Sequence, residues 1–448
     1  MKKFWSYFIA PLYFSRRWHI AITAVAILFV VAFFLSWMNL IPFIAIIVLV
    51  VLLCLDYTLL FSNQGGMFAA RSQAERFSNG DENPVRIDLE NQYTFPVGVE
   101  VIDEIPHQFQ RRNVSFDTTL KPGEQQHINY SLRPVKRGTY LFGNLNVFVT
   151  GPIGLASRRY HFSQSVEVPV YPSYIQLRRY QLMAISNRLS EVGVKKVRRL
   201  GHSLEFEQIK EYVQGDDYRT LNWKATARRG ALMVNNFTDE KSQQVYCIID
   251  KGRVMKMPFE GLSLLDYAIN ASLVLSNVAL TKQDKAGLIT FSEQVGSFLA
   301  ANKKATQMQA ILEVLYNQKT RYLESDFEQL YSLLRRKVSQ RSLVILFTNF
   351  ESMSGMKRQL PYLRKMAQHH LLLIVFFDNT ELKNVIATPA KNVEQVYTKT
   401  IAEKFAFEKR MIAKELQQYG IQSILTTPQQ LTINTINKYL ELKARQLI

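Results

Sequence analysis

The hydrophobic pattern of this 448-residue chain changes twice along its length. Two nearly continuous apolar runs come first, Ile20–Trp37 and Ile41–Leu60. Each has about the length, roughly 20 residues, that an α-helix needs to cross a bilayer. Only residues 38–40 lie between them, so the pattern predicts a two-helix transmembrane hairpin within an N-terminal segment of residues 1–65.

Residues 66–175 alternate between apolar and polar positions, with the period of two that is typical of β-strands. Turn-forming pairs such as Asn-Pro, Pro-Gly and Gly-Pro separate the short runs. The predicted strands include Val85–Leu89, Val97–Ile102, His127–Leu132, Tyr140–Val149 and Val166–Tyr171. This spacing predicts an antiparallel β-sandwich of immunoglobulin-like size.

Residues 244–448 alternate between short apolar strands and amphipathic helices, which predicts an α/β domain with a doubly wound, mostly parallel sheet. The predicted strands are Val245–Asp250, Ala286–Phe291, Val295–Ala300, Ser342–Thr348, Leu371–Phe377 and Ile421–Leu425. Ligands of such sheets bind beyond the carboxyl ends of the strands. That edge would carry Asp250, Thr348, Asn349 and Asp378.

A basic connector and a dense polar motif occupy the remaining segment, residues 176–243. Gly215-Asp216-Asp217 predicts a turn in which an aspartate caps a helix over residues 218–229. Gly230 would end that helix, and a strand would follow over residues 231–237.

Within that predicted helix Arg219 and Trp223 are one turn apart and share a face. We therefore expect an ion pair between Asp216 and Arg219 that Trp223 shields from water. Such a cluster of charged residues can stabilise the packing of the motif or bind a partner protein, and both interpretations stay open.

The net charge of +18 is unevenly distributed. Residues 66–175 contain 11 basic and 11 acidic residues, so most of the excess lies after residue 175. A basic surface suits an anionic membrane or an acidic partner, although a solvated surface is the alternative. Lysines and arginines flank both outer ends of the hairpin, at Lys2, Lys3, Arg16, Arg17, Arg71 and Arg76. By the positive-inside rule, both termini and the main domains would lie in the cytoplasm, at the inner membrane of the cell.

Enzyme signatures are missing from the sequence. It contains no phosphate-binding G-x-x-x-x-G-K-[ST] loop and no H-E-x-x-H or paired C-x-x-C zinc motif. Its two cysteines, Cys54 and Cys247, are too few for a disulfide framework. We therefore expect a non-enzymatic protein with no cofactor and no small-molecule substrate.

The motif resembles the signature of the domain-of-unknown-function fifty-eight family. The residues that carry the resemblance are Glu205, Phe206, Tyr212, Gly215, Asp216, Arg219, Trp223, Ala227 and Arg228. Lys210 departs from it, since the family usually has arginine there. The resemblance implies a membrane-anchored protein that accompanies a MoxR-type AAA+ ATPase, with a von Willebrand A-like C-terminal domain.

Domains of the von Willebrand A type often bind Mg²⁺ through Asp-x-Ser-x-Ser after the first strand, and a hard cation needs several such oxygen ligands. Here Asp250 is present, but Gly252 and Val254 replace the two serines and Asn349 replaces a later aspartate. The sequence therefore predicts no metal at this degenerate site. A salt bridge from Lys251 or Arg253 to Asp250 could take the place of the ion.

Together these patterns predict a membrane-anchored scaffold or adapter that faces the cytoplasm and docks a partner. A metal-dependent ligand-binding protein of the von Willebrand A type is one alternative, which the degenerate site disfavours. A nucleic-acid-binding or hydrolytic protein is the other. The positive charge permits it, but no interleaving of basic and aromatic residues supports it.

Overall fold

The computed structural model describes residues 10–63, 65–111, 114–173, 175, 205–214, 216–238, 242–320, 323–390, 392–445 and 447. The predicted basic connector falls almost entirely outside these residues, as do Lys2 and Lys3. The chain forms two compact units, Met1–Tyr171 and Pro172–Ile448.

The first unit begins with two helices, α1 (Arg16–Phe34) and α2 (Leu40–Ser62), joined through a short 3-10 turn at Ser36–Met38. Both helices are long and apolar enough to cross a membrane, as the sequence predicts. A third helix, Leu264–Thr281, meets the same criteria, but most of its residues are buried in the second unit. It is therefore a core helix.

The rest of the first unit is rich in β-structure. Its strands are β1 (Leu12–Phe14), β2 (Met67–Gln73), β3 (Phe77–Ser78), β4 (Asn83–Asn91), β5 (Val97–Asp103), β6 (Ser115–Leu120), β7 (Gln125–Leu132), β8 (Gly138–Phe142), β9 (Leu145–Thr150), β10 (Ala156–Phe162) and β11 (Val166–Tyr171). They form sheets of order β1-β10-β9-β5-β6, β2-β4-β7 and β3-β11-β8. All pairs are antiparallel except β3 with β11.

One apolar core joins two of these sheets. Ile87 and Leu89 of β4 pack in the same buried cluster as Val99 of β5 and Val147 of β9. Their alternation with polar residues turns one face of each strand inward. The predicted strand Tyr140–Val149 is wrong as a single element, because Gly143 and Asn144 break it into β8 and β9.

Arg71, one of the basic residues predicted to flank the hairpin, forms an ion pair inside the β domain. Its guanidinium is buried in the β domain, where it donates to Asp103 at 2.6 Å and to the carbonyl oxygens of Gly143 and Gln164. Arg71 is therefore neutralised inside the β domain, and the orientation inferred from the flanking charges stays a prediction.

Both ends of the hairpin are fastened to strand β10. Upstream of α1, β1 pairs with β10, and the Ser15 nitrogen donates to the Leu155 carbonyl at 3.1 Å. Near the end of α2, Asp56 Oδ2 accepts hydrogen bonds of 2.8 Å from the nitrogens of Leu155 and Ala156. Asp56 is fully buried in the middle of this junction.

Arg158 completes the junction by capping α2. Its Nη1 donates to the carbonyl oxygens of Leu60 at 2.7 Å and Asn63 at 2.8 Å, at the end of the helix where carbonyls lack intrahelical partners. The guanidinium also lies 4.7 Å from the centroids of the Phe61 and Tyr160 rings. We call Asp56, Leu155, Ala156 and Arg158 the helix–sheet clamp.

The second unit consists of a hairpin followed by alternating strands and helices. Its elements are β12 (Glu205–Glu211), α3 (Trp223–Arg229), β13 (Met233–Thr238), β14 (Gln244–Asp250), β15 (Pro258–Phe259), β16 (Leu262–Ser263), α4 (Leu264–Thr281), β17 (Lys285–Phe291), β18 (Val295–Asn302), α5 (Gln307–Tyr316), α6 (Phe327–Lys337), β19 (Leu343–Phe347), α7 (Met353–His369), β20 (Leu371–Phe377), α8 (Thr380–Ala387), α9 (Val393–Gln418), β21 (Gln422–Thr426) and α10 (Leu431–Ala444).

Six of these strands form a mostly parallel sheet in the order β18-β17-β14-β19-β20-β21, with β18 antiparallel at one edge. Alternate residues of a strand point to opposite faces of the sheet. Both sets are apolar here, and helices cover both faces. Cys247 and Ile249 face α4, α5 and α10, whereas Tyr246 and Ile248 face α6, α7 and α9. The predicted α/β domain with parallel strands is confirmed, and α8 is an element that the pattern did not predict.

Candidate functional site

Two sets of residues from the sequence predictions lie in the second unit: the motif, and the carboxyl edge of the sheet. The motif is built on the antiparallel hairpin of β12 and β13, with residues 212–232 inserted between the strands. The backbones of Glu205 and Phe206 lie in β12, and their side chains fall outside the described residues, as does Gly215.

The predicted helix over residues 218–229 is wrong as a single element. Asp217 caps only a short 3-10 turn at Tyr218–Thr220, and α3 starts later with Asn222 as its cap, whose Oδ1 accepts from the Ala225 nitrogen at 3.0 Å. The break occurs because Leu221 forms a β-bridge with Val234, so its backbone is extended. Gly230 ends α3 at φ 73°, as predicted.

The predicted ion pair of Asp216 with Arg219 is wrong. The Asp216 carboxylate instead accepts from Lys210 Nζ at 2.8 Å and from the Val213 nitrogen at 3.0 Å. The hydrogen bond from Lys210 is the main reason that the pKa of Asp216 is lowered, and the Val213 nitrogen adds to it. Lys210, noted in the sequence as a departure from the family, thus holds the turn that leads into the motif.

Trp223 does not shield a buried pair, because its side chain is 70% exposed. Arg219 and Trp223 lie in different helical segments and share no helix face. Tyr218 is 69% exposed, and the Arg219 guanidinium lies 5.8 Å from its ring centroid, an exposed cation–π contact. Arg228 occupies the exposed last turn of α3.

We call Tyr218, Arg219, Trp223, Arg228 and Arg229 the motif surface. Within the described part of the chain, no carboxylate forms a salt bridge with its three arginines. The half-buried Tyr212 contributes through its backbone nitrogen, which donates to the Leu232 carbonyl at 2.8 Å and closes the base of the insert.

The carboxyl edge of the sheet contains a cavity of about 380 Å³. It is lined by Asp250, Arg253, Val254, Glu324, Ser325, Phe327, Thr348, Asn349, Phe350, Glu351, Ser352, Ser354, Gly355, Arg358 and Gln359. The prediction that Asp250, Thr348 and Asn349 lie at this edge is confirmed, because all three line the cavity. Asp378 is not among the lining residues and forms an ion pair with Lys383 at 2.5 Å.

Asp250 is almost completely buried, and its carboxylate is occupied by protein donors. Oδ2 accepts from the Thr348 hydroxyl at 2.7 Å, and Oδ1 accepts from the Gly252 nitrogen at 2.8 Å and from the Ser325 hydroxyl. Burial raises the pKa of Asp250 above its ordinary value, and these hydrogen bonds offset part of the rise. A Cβ at Gly252 would overlap Ser325 Oγ, so the glycine is needed for this close approach.

Asn349 is fixed by a buried lysine that the sequence reasoning missed. Lys409 Nζ donates to Asn349 Oδ1 at 3.0 Å and to the carbonyl of Phe377. Burial lowers the pKa of Lys409 to about 8, against the attraction of Asp378 and Glu351. A sequence signal did exist, since Lys409 stands seven residues after the buried Ala402 of α9, on its inward face.

The side-chain oxygens at this edge are poorly suited to bind a metal ion. Asp250 already accepts three hydrogen bonds, and Asn349 presents its oxygen to an ammonium group. The hypothesis that Arg253 balances Asp250 is wrong, because its guanidinium lies 3.6 Å from Glu324. The predicted absence of a metal remains a prediction.

Comparison with known proteins agrees with the family resemblance. Residues 208–400 match the family described as "Protein of unknown function DUF58". The "Uncharacterized protein YeaD" of Bacillus subtilis (strain 168) is 27% identical over 180 residues, which are 38% of this chain and 44% of that protein. The chain thus matches less than half the length of this curated relative.

Similarity to solved structures is weak. The conserved hypothetical protein BatB from Bacteroides thetaiotaomicron is 12% identical over 46% of this chain and 99% of its own, with a TM-score of 0.31. The PapD-like domain 7 of human CEP192 is 12% identical over 23% of this chain and 84% of its own, with a TM-score of 0.18. Neither likeness is strong enough to argue a shared fold.

Proposed function

From the DUF58 match over residues 208–400, we propose that this chain is a membrane-anchored, non-enzymatic adapter that docks a partner protein through the motif surface. The observation that carries the proposal is the exposure of two aromatic side chains, Trp223 at 70% and Tyr218 at 69%, in a short segment whose three arginines form no described salt bridge. Tryptophan, tyrosine and arginine dominate the binding energy of protein interfaces. Aromatic residues and arginine are enriched at protein interfaces, so this combination of residue types within one short segment supports a partner that covers it.

The chemistry of the motif surface indicates what the partner presents. An apolar pocket would receive Trp223, and carboxylates would pair with Arg219 and Arg228. The family resemblance implies that this partner is a MoxR-type AAA+ ATPase. We further infer a von Willebrand A-type fold for the α/β domain, whose Asp250 and Asn349 positions match the degenerate loops of such domains.

The proposed location is the cytoplasmic face of the cell membrane. Two observations support placing both ends of the hairpin on one side. Strand β1 before α1 and the clamp residue Asp56 near the end of α2 are attached to the same strand, β10. Arg16 and Arg17 at the start of α1 then favour the cytoplasmic side.

Binding of the purified full-length protein to the MoxR-type ATPase of the same genome tests the function. The protein is placed in detergent micelles, and affinity is measured by biolayer interferometry. We expect Trp223→Ala and Arg228→Ala each to weaken binding at least tenfold, as truncations of hot-spot residues do. Tyr397→Ala, an equally exposed aromatic at 69% in α9, and Lys357→Ala, an exposed lysine in α7, are the matched controls.

Folding of every variant is checked by circular dichroism and thermal unfolding. If folded Trp223→Ala and Arg228→Ala bind as tightly as the controls, the motif surface is not the docking site. If the wild type does not bind the ATPase, mass spectrometry of proteins captured from solubilised membranes tests whether another partner depends on Trp223.

Sidedness is tested with single cysteines and a membrane-impermeant maleimide on intact cells. Both native cysteines are first replaced by serine, and a cysteine is then placed at the exposed Lys357. We expect labelling only after the cells are permeabilised. Labelling in intact cells would contradict the cytoplasmic orientation without affecting the docking proposal.

A further inference from the structure

The two apolar helices of the hairpin rise from the β domain without a linker. α1 starts at Arg16, and the Ser15 nitrogen just before it donates to the Leu155 carbonyl at 3.1 Å. The Leu155 nitrogen in turn donates to the Asp56 carboxylate of α2 at 2.8 Å. Leu155 therefore marks one level on both helices, at the edge of the β domain.

From that level, neither helix extends further than the thickness of the hydrocarbon core of a bilayer. α1 has 19 residues and a length of about 28 Å, and residues 40–56 of α2 span about 25 Å. The hydrocarbon core is about 30 Å thick and has a layer of headgroups on each side. If the hairpin crosses the membrane, as the proposed anchoring requires, Leu155 and β1 must therefore lie in the headgroup layer.

Exposed aromatic and apolar side chains lie near this level. Phe14 of β1 is 47% exposed, and its ring stacks on that of Trp18 in the first turn of α1, with the ring centroids 5.3 Å apart. Leu55 and Leu59 of α2 are exposed, although Asp56 between them is fully buried. Tryptophan side chains collect at the interface between membrane and water, and lipid would cover the exposed leucines.

The charge at this level is positive. Arg16 and Arg17 are exposed, and no carboxylate in the described part of the chain forms an ion pair with either. The pairing of β1 with β10 brings together residues 10–20 and 150–160, which contain four arginines and no aspartate or glutamate. Asp56, the carboxylate that touches these segments, is fully buried. Basic side chains at a membrane surface attract anionic lipids.

We propose that exposed side chains around the start of α1 form a lipid collar that binds anionic phospholipids: Phe14, Arg16, Arg17 and Trp18. The guanidinium groups donate to the lipid phosphates, and the two stacked rings lie between the headgroups and the acyl chains. The collar is continuous with the apolar surface of the hairpin, so a lipid surface fits it better than a partner protein does. The lipid collar depends on the proposed membrane anchoring but not on docking at the motif surface.

Site-directed spin labels measure the depth of the lipid collar. Both native cysteines of the full-length protein are replaced by serine, and the protein is reconstituted into vesicles of phosphatidylcholine and phosphatidylglycerol. Single labels are attached in Phe14→Cys, Ile27→Cys and Arg111→Cys. Arg111 is exposed in the loop after β5, at the end of the sheet opposite to Leu155. The accessibility of each label to oxygen and to a water-soluble nickel complex gives its depth.

We expect the label at Ile27 to lie in hydrocarbon, the label at Phe14 among the headgroups, and the label at Arg111 in water. A Phe14 label as accessible to the nickel complex as the Arg111 label overturns the lipid collar. A lipid-embedded Ile27 label would in that case leave the membrane anchoring intact. An Ile27 label in water overturns the anchoring and the lipid collar together.

Quenching of Trp18 fluorescence by brominated lipids tests the preference for anionic lipid. The other three tryptophans are replaced by phenylalanine, and brominated phosphatidylglycerol is compared with brominated phosphatidylcholine in the same vesicles. We expect phosphatidylglycerol to bind next to Trp18 at least threefold more tightly. Arg16→Gln combined with Arg17→Gln should remove this preference. Arg111→Gln, which removes a positive charge at the far end of the sheet, should keep it.

Thermal unfolding checks that each variant is folded. The lipid collar is overturned if both lipids quench Trp18 equally in the chain that retains Arg16 and Arg17, or if the double variant keeps the preference. It is also overturned if Arg111→Gln loses the preference as fully as the double variant does, because the effect would then follow net charge.

Discussion

The carboxylate of Asp56, inside the apolar helix α2, accepts a hydrogen bond of 2.8 Å from the backbone nitrogen of Leu155, 99 residues away. A charged residue in an apolar helix is costly unless it is paired or functional. Here the same oxygen also binds the Ala156 nitrogen, so Asp56 attaches the helix to the β domain. The hairpin and this domain are therefore one structural unit.

Replacing Asp56 should release that attachment. Asp56→Ala leaves the buried nitrogens of Leu155 and Ala156 without an acceptor, at about 1–3 kcal/mol for each group. Asp56→Asn keeps an oxygen in place and should retain most of the stability. The free energy of unfolding in detergent is compared with that of Thr58→Ala, whose hydroxyl bonds only within its own helix. Equal stability of Asp56→Ala and Thr58→Ala would show that the clamp does not hold the helix.

Gly151 packs directly against Asp56, so we expect that it does not tolerate a side chain. A Cβ there would overlap Asp56 Oδ1, so Gly151→Ala should cost about 1–3 kcal/mol through overpacking. The double variant with Asp56→Ala removes the overlapping atom and should cost less than the sum of the single changes. Gly98→Ala is the control, because its Cβ would meet Thr150 at an ordinary 3.8 Å. Additive costs in the double variant would contradict the predicted contact.

Local patterns predicted most elements of the fold but not the long-range contacts. Two predicted strands, Val166–Tyr171 and Leu371–Phe377, have the same bounds in the structure. A strand that is buried on one face alternates between apolar and polar residues, and a strand that is buried on both faces is apolar throughout, so both kinds can be recognised from sequence. Asp56, by contrast, is explained only by nitrogens 99 and 100 residues later. No local signal could show that contact.

The prediction of a single helix in the motif was wrong for a different physical reason. Residues 218–229 have helical composition, but pairing of Leu221 with Val234 interrupts the helix. Asn222 was the overlooked signal, since asparagine is a strong helix cap. For the cavity, the order of the strands predicted that Asp250 and Asn349 meet. Ser325 comes from the loop before α6 and Lys409 from α9, and the strand pattern does not specify how these segments pack.

The close contact between Gly252 and Ser325 also predicts the effect of a substitution. Gly252→Ala forces its Cβ against Ser325 Oγ and should lower stability by about 1–3 kcal/mol. Ser325→Ala in the same chain removes that oxygen and should recover part of the loss. Gly355→Ala, which has room at 3.5 Å from Ser352 Oγ within α7, should be neutral or slightly stabilising. Thermal unfolding measures all four proteins, and a Gly252→Ala variant as stable as wild type would exclude the contact.

The buried ammonium of Lys409 predicts how stability depends on pH. Its pKa falls from 10.5 to about 8 on folding, so between these values the unfolded chain binds a proton that the folded chain does not. Stability must therefore rise with pH across that window, by roughly 3 kcal/mol at 1.36 kcal/mol per pKa unit. Lys409→Met lacks the titrating group and should lose this rise, whereas Lys414→Met, an exposed lysine of the same helix, should keep it. Unfolding free energies from pH 7 to 10.5 provide the measurement, and parallel curves for wild type and Lys409→Met would show that Lys409 is not desolvated as described.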